Sequence, residues 1–236
     1  DGIAHYLEHK LFESEDGDAF TLFARTGADS NAFTAFDRTC YLFSCTDRFE
    51  ESFRALLQFV QAPYFTAETV AKEQGIIGQE IRMYDDNPGW QVMFGLLTAL
   101  YQNHPIRRDI AGTVESIAQI DADLLYRCYN AFYNPANMAV TVAGNFDPEA
   151  AERILNEEIK PVKPRAVERP AVDEPPEAVC REAVKKLDVS EPIFYFGWKQ
   201  APCADPAEEL RQQIIFIILL DVLSGPTSLF YEKMNP

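Results

Sequence analysis

The spacing of apolar residues changes several times along the chain, and each change marks an element. Residues 2–14 and 18–26 read as helices, the second ending at Gly27. The period then drops toward two. Residues 31–36 and 39–45 are rich in strand formers, and Asp37 and Arg38 between them predict a hairpin. Helical spacing returns at 49–60, with Phe49, Phe53, Leu56, Leu57 and Val60 on one face. It holds over 66–85, a long helix running from a Thr66 cap to the break at Asn87 and Pro88. Further helices are predicted at 90–101, 121–132 and 148–158, with a buried strand at 138–143 stopped by Gly144 and Asn145.

Beyond residue 160 the composition shifts. Pro161, Pro164, Pro170, Pro175 and Pro176 sit among charges with few large apolar residues, which predicts an extended linker over 161–177. A strand-like run at 193–198 and a long apolar helix at 207–223 follow. Helices alternating irregularly with hairpin strands predict an α+β fold, an antiparallel sheet flanked by helices. The reading is a first domain over 1–160, the linker, and the beginning of a second domain over 178–236. Asp1 leads straight into the first helix and the chain stops just after another, so it reads as a piece of a longer protein.

Composition narrows the function. An apolar fraction of 47% and a charged fraction of 25% are ordinary globular values. The net charge of −16 repels phosphates, so nucleic acid and anionic membranes are excluded as partners, while a neutral or basic peptide is attracted. The bland alternative is that the acidity only keeps the protein soluble. Cys40, Cys45, Cys128, Cys180 and Cys203 form no CxxC pair, which reads as reduced thiols in a reducing, cytoplasmic compartment. The apolar run 214–220 is far shorter than the roughly 20 residues that span a bilayer.

The candidate chemistry lies in the first helix. At 100° per residue, His5, Glu8 and His9 fall within one narrow arc. Two imidazoles four residues apart can hold one metal ion from adjacent turns, with the carboxylate between them facing the same cavity and placed to take a proton from a metal-activated water. This is the HxxEH order, the reverse of HExxH. The bland alternative is a helix with two histidines beside an ordinary Glu. A catalytic zinc site needs a third protein ligand. Glu80 is the candidate, on the helix 66–85, where Glu73 and Glu80 stand two turns apart on one face. A solvated helical Glu is the competing reading at both positions.

Gly2-Ile3-Ala4-His5-Tyr6-Leu7-Glu8-His9-Lys10-Leu11-Phe12 resembles the zinc motif of the pitrilysin (insulinase-like, inverted-zinc) metallopeptidases. Residues 73–81, with two glutamates seven apart, resemble that family's downstream helix, and the likeness runs on through 27–34, 104–105, 112–113 and 132–144. It covers most of 1–160 and, more weakly, the chain from Ser190 onward, and it points to a bacterial, cytoplasmic branch. The resemblance implies the mitochondrial-processing-peptidase-like metallohydrolase fold, His5, His9 and Glu80 as zinc ligands, Glu8 as general base and Glu73 as a supporting acid. It implies that Asn31, Ala32, Phe33 and Thr34 form an edge strand to which an extended peptide adds; a plain core strand is the alternative. It further implies that peptides are enclosed against a closing half, either the remainder of the protein or a homologous subunit. His104, beside Pro105, reads as structural.

Two other functions stand against the zinc-dependent endopeptidase. Enzymes that cleave S-ribosylhomocysteine also carry HxxEH but pair it with a cysteine ligand, and Cys128 has no metal context in the sequence. Members of the family that have lost the motif act as assembly or peptide-binding partners, whereas this chain keeps every motif residue.

Overall fold

The computed structural model describes residues 1–15, 17–201 and 203–234. Helix α1 (Ile3–Leu11) starts at Gly2, whose φ of 83° is a left-handed conformation. A Cβ there would stand 2.5 Å from the Ala111 carbonyl oxygen, so only glycine lets the loop at 109–112 approach the start of the helix. The helix buries Tyr6, Leu7 and Leu11, together with the whole of Lys10, whose ammonium pairs with Glu13. It ends sooner than the apolar pattern predicts. Strands β1 (Glu13–Ser14) and β2 (Gly17–Asp18) form a small hairpin that needs Gly17 at a φ of 122°. Asp18 then caps α2 (Ala19–Thr26) by accepting from Phe20 N, and Gly27 in the left-handed region closes it.

Strands β3 (Asp29–Thr34) and β4 (Thr39–Ser44) pair antiparallel, with Asp29 opposite Ser44 and Thr34 opposite Thr39. Helix α3 (Phe49–Val60) packs beneath them. Helix α4 (Ala67–Asp85) begins at the reciprocal caps of Thr66 and Thr69. Helix α5 (Pro88–Leu100) is turned back on α4 by Asn87, whose side chain accepts from Trp90 N, with Pro88 in the first turn where no amide is needed. Helices α6 (Val114–Ile117), α7 (Ala122–Phe132) and α8 (Pro148–Glu158) complete the packed part.

The main core joins α1, α3, α4 and α7 through Tyr6, Leu11, Phe12, Phe59, Ile77 and Leu125, with Tyr41 and Phe43 of β4 against it. Two buried hydroxyls tie the helices: Tyr6 donates to the Val70 carbonyl at 2.5 Å and Tyr129 to that of Val60 at 2.7 Å. A second cluster of Phe53, Leu57, Ala151 and Ile154 holds α8 on α3. Arg54 reinforces it by reaching Glu157 at 2.6 Å and Glu158 at 2.5 Å.

Two predicted strands differ from the sequence reading. Residues 138–143 and 193–198 have the apolar content of strands but join no ladder among the described residues. A strand is a paired state, and an extended segment with no neighbouring strand cannot form the ladder its side chains favour. Helix α9 (Pro206–Ser224) is capped by Asp205 and followed by α10 (Leu229–Met234). Most of its large apolar side chains, Ile217 and Val222 among them, are exposed. The Pro-rich stretch carries no regular secondary structure, and it is pinned. The Glu174 carboxylate accepts from the backbone amides of Gln102, Asn103 and His104 at 2.8, 2.6 and 2.6 Å, and from Lys199 Nζ at 2.7 Å. No described helix is long and apolar enough to cross a membrane.

Candidate metal centre

Helix α1 delivers His5, Glu8 and His9 to one cleft, and α4 delivers Glu80 to the same cleft. The two elements are fixed to each other by the Tyr6 hydroxyl and by the core behind them. His5 and His9 bring their Nε2 atoms to 3.3 Å. Glu80 closes the triangle, with Oε1 at 3.6 Å from His5 Nε2 and Oε2 at 3.4 Å from His9 Nε2. Donors bound about 2.0–2.1 Å from a tetrahedral zinc ion stand about 3.3–3.4 Å apart. The two imidazole nitrogens therefore stand one tetrahedron edge apart, and the Glu80 carboxylate lies close enough to both to supply a third donor from one of its oxygens. Among the described residues this is the one cluster of His, Cys, Asp and Glu atoms with metal-ligand spacing.

Two carboxylates, Glu73 and Glu80, flank His9. Burial opposes charge on His9, but hydrogen bonds to Glu73 and Glu80 prevail and raise its pKa to about 9 in the metal-free form. The hydrogen bonds of His5 and His9 hold the Glu80 carboxyl far below the usual range, against the opposing effect of burial. His9 Nδ1 lies 2.9 Å from Glu73 Oε1, which anchors the ring from behind. His5 Nδ1 is buried without a hydrogen-bond partner, alone in this among the described side chains.

The cleft encloses about 240 Å³ and is lined by His5, Glu8, His9 and Glu80. Ala32, Phe33 and Thr34 of β3 form one wall. Thr34 donates its hydroxyl to Glu8 Oε2 at 2.5 Å and lies 3.3 Å from the Thr39 hydroxyl across the hairpin. Asn31 does not line the cleft; its side chain accepts from the next amide in the strand, Ala32 N. Glu73 stands behind His9 rather than in the cleft. His104 caps a short turn by accepting from Ile106 N. Sequence reasoning missed Tyr84, Trp90, Ile110 and Ala111, which also line the cleft. Only Tyr84 was readable in advance, being one turn beyond Glu80 on the same helix face. No cysteine is among the lining residues, and Cys128 packs against the main core.

Residues 1–114 match the insulinase peptidase family, M16, and residues 119–233 match the inactive domain of the same peptidases. The chain is 46% identical to the uncharacterized zinc protease YmfH of Bacillus subtilis, an alignment covering 99% of this chain and 56% of that protein. An uncharacterized zinc protease of Mycobacterium leprae is 32% identical over 66% of this chain and 36% of its own length. The chain thus spans about half or less of the curated relatives it matches. Among solved structures, an M16-like peptidase from Alicyclobacillus acidocaldarius superposes with a TM-score of 0.85 at 39% identity, over 99% of this chain and 56% of that one. A protease from Helicobacter pylori shares the fold at 23% identity and a TM-score of 0.69, over 75% of this chain and 44% of that one. With both halves matched in order and zinc proteases among its relatives, the chain belongs to the insulinase (M16) family of peptidases.

Proposed function

We propose that this chain is the catalytic part of a zinc-dependent endopeptidase acting on short or unfolded peptides. The carrying observation is the triangle of His5, His9 and Glu80 at zinc-ligand separations with Glu8 beside it in the same cleft. His5, His9 and Glu80 hold the ion in this reading, and Glu73 orients His9. Zinc, when bound, supplies a Lewis acid that polarises the scissile carbonyl and acidifies water. Glu8 takes the proton from the attacking water and delivers it to the leaving amine, with Thr34 holding the carboxylate in place.

Substrate alignment follows from β3. It pairs with β4 on one side only among the described residues, and its Ala32, Phe33 and Thr34 face the site. An extended peptide adds to the free edge by main-chain hydrogen bonds, which bind with little regard to sequence. The acidic surface favours neutral or basic peptides. The remaining half of the protein, or a homologous subunit, closes over the peptide. In this account residues 1–160 form the catalytic domain, 161–177 the linker and 178–236 the opening of a second domain. Five unpaired cysteines fit the bacterial cytoplasm. The lyase alternative lacks its cysteine ligand at this cleft.

Glu8→Gln tests the mechanism. It should retain zinc while hydrolysis of an unfolded peptide substrate falls by a thousandfold or more on the order of a lost essential base. Undiminished hydrolysis by that variant would overturn the role given to Glu8.

A further inference from the structure

Glu80 is restrained on the side away from the histidines. Tyr84, one turn further along α4, donates its hydroxyl to Glu80 Oε1 at 2.7 Å. The Tyr84 ring is stacked on Trp90, with centroids 4.4 Å apart and planes 14° from parallel. The Trp90 indole N–H donates to Asp109 Oδ2 at 2.5 Å, and Asp109 Oδ1 accepts from Ala111 N at 2.9 Å. Ala111 is the residue whose carbonyl meets Gly2 at the start of the histidine helix. A continuous line of contacts thus runs from the carboxylate to the loop that abuts α1. Three elements contribute to it: the end of α4, the start of α5, and the loop 109–111.

We propose that Tyr84, held in place by Trp90 and Asp109, is a positioning residue that fixes the Glu80 carboxylate for cation binding. A carboxylate on a flexible stem can turn either oxygen toward an ion, and each freely populated orientation weakens a three-donor site. The hydroxyl removes that freedom by occupying Oε1. The stack on Trp90 in turn fixes where the hydroxyl sits, and Asp109 fixes the indole. Neither Trp90 nor Asp109 reaches the donor atoms, so their effect passes through Tyr84.

The inference rests on the reading of His5, His9 and Glu80 as a zinc site, and the experiment separates the two. In the intact protein, zinc affinity is measured by chelator competition for the parent, Tyr84→Phe, Asp109→Ala and Asp109→Asn, with the melting temperature of each metal-free form alongside. Tyr84→Phe keeps the stacked ring and loses only the hydroxyl. It should weaken zinc binding by about ten- to a hundredfold, the usual effect of losing an outer-sphere partner, with little change in the metal-free melting temperature. Asp109→Ala should weaken binding in the same direction. Asp109→Asn, which keeps an acceptor for the indole, should recover most of the affinity. A Tyr84→Phe protein that binds zinc as tightly as the parent would overturn this inference alone. A parent that binds no zinc would overturn the metal site with it. Should Tyr84→Phe fail to fold, equal affinities for parent and Asp109→Ala would count against the inference in the same way.

Discussion

His9 Nδ1 and Glu73 Oε1 are 2.9 Å apart, and that contact fixes the orientation of the His9 ring. In that orientation Nδ1 is engaged by Glu73 and Nε2 is the nitrogen turned toward His5 and Glu80. Glu73→Ala removes the anchor while leaving all three proposed ligands. Zinc affinity by chelator competition should fall about ten- to a hundredfold. Glu73→Gln retains an acceptor and should fall between that variant and the parent.

Thr34 makes the corresponding contact for Glu8. Its hydroxyl meets Glu8 Oε2 at 2.5 Å, and the neighbouring Thr39 hydroxyl supports it from the facing strand. Thr34→Val preserves shape and removes the donor. The loss of one hydrogen bond to a charged group, about 1.5–3 kcal/mol, should lower peptide turnover about ten- to a hundredfold. Zinc content should be unchanged. Metal loss in this variant would show that Thr34 supports the helix itself rather than the carboxylate.

The Glu174 clamp gives a pH dependence with a definite sign. Burial opposes the charge, but Lys199 and the amides of Gln102, Asn103 and His104 outweigh it and lower the carboxyl to about 2. A depressed carboxylate contributes stability above its unfolded value, here 4.5, and loses it as pH falls toward the folded value. Amide shifts of residues 102–104 should therefore hold steady down to about pH 4 and titrate with a midpoint near 2. A midpoint near 4.5 in NMR would mean that the clamp does not form.

The sequence was most informative where a short-range period decides the outcome. The arc of His5, Glu8 and His9 is fixed once 3–11 is helical, and the β3–β4 hairpin is fixed by alternating side chains around Asp37 and Arg38. The seven-residue step from Glu73 to Glu80 placed both on one face of α4, and the structure turns that face toward α1. What was illegible depends on encounters between distant segments. Phe12 continues the apolar pattern of α1, so nothing local announced the hairpin that Gly17 permits. Trp90 reaches Tyr84 only because Asn87 and Pro88 fold α5 back, and Asp109 arrives from a loop beyond α5. Residues 138–143 and 193–198 carry strand-forming side chains, but composition records a preference and not the presence of a pairing neighbour. Five prolines predicted an extended 161–177 and could not reveal that loop 102–104 presents three amides to Glu174.

The central claim is that His5, His9 and Glu80 hold one zinc ion, and metal content per chain tests it most directly. Zinc is measured by elemental analysis on the parent and Glu80→Ala after identical loading and dialysis. The account predicts about one zinc per chain in the parent and a clear loss in the variant. A parent that retains no zinc, or a variant that retains as much as the parent, would contradict it.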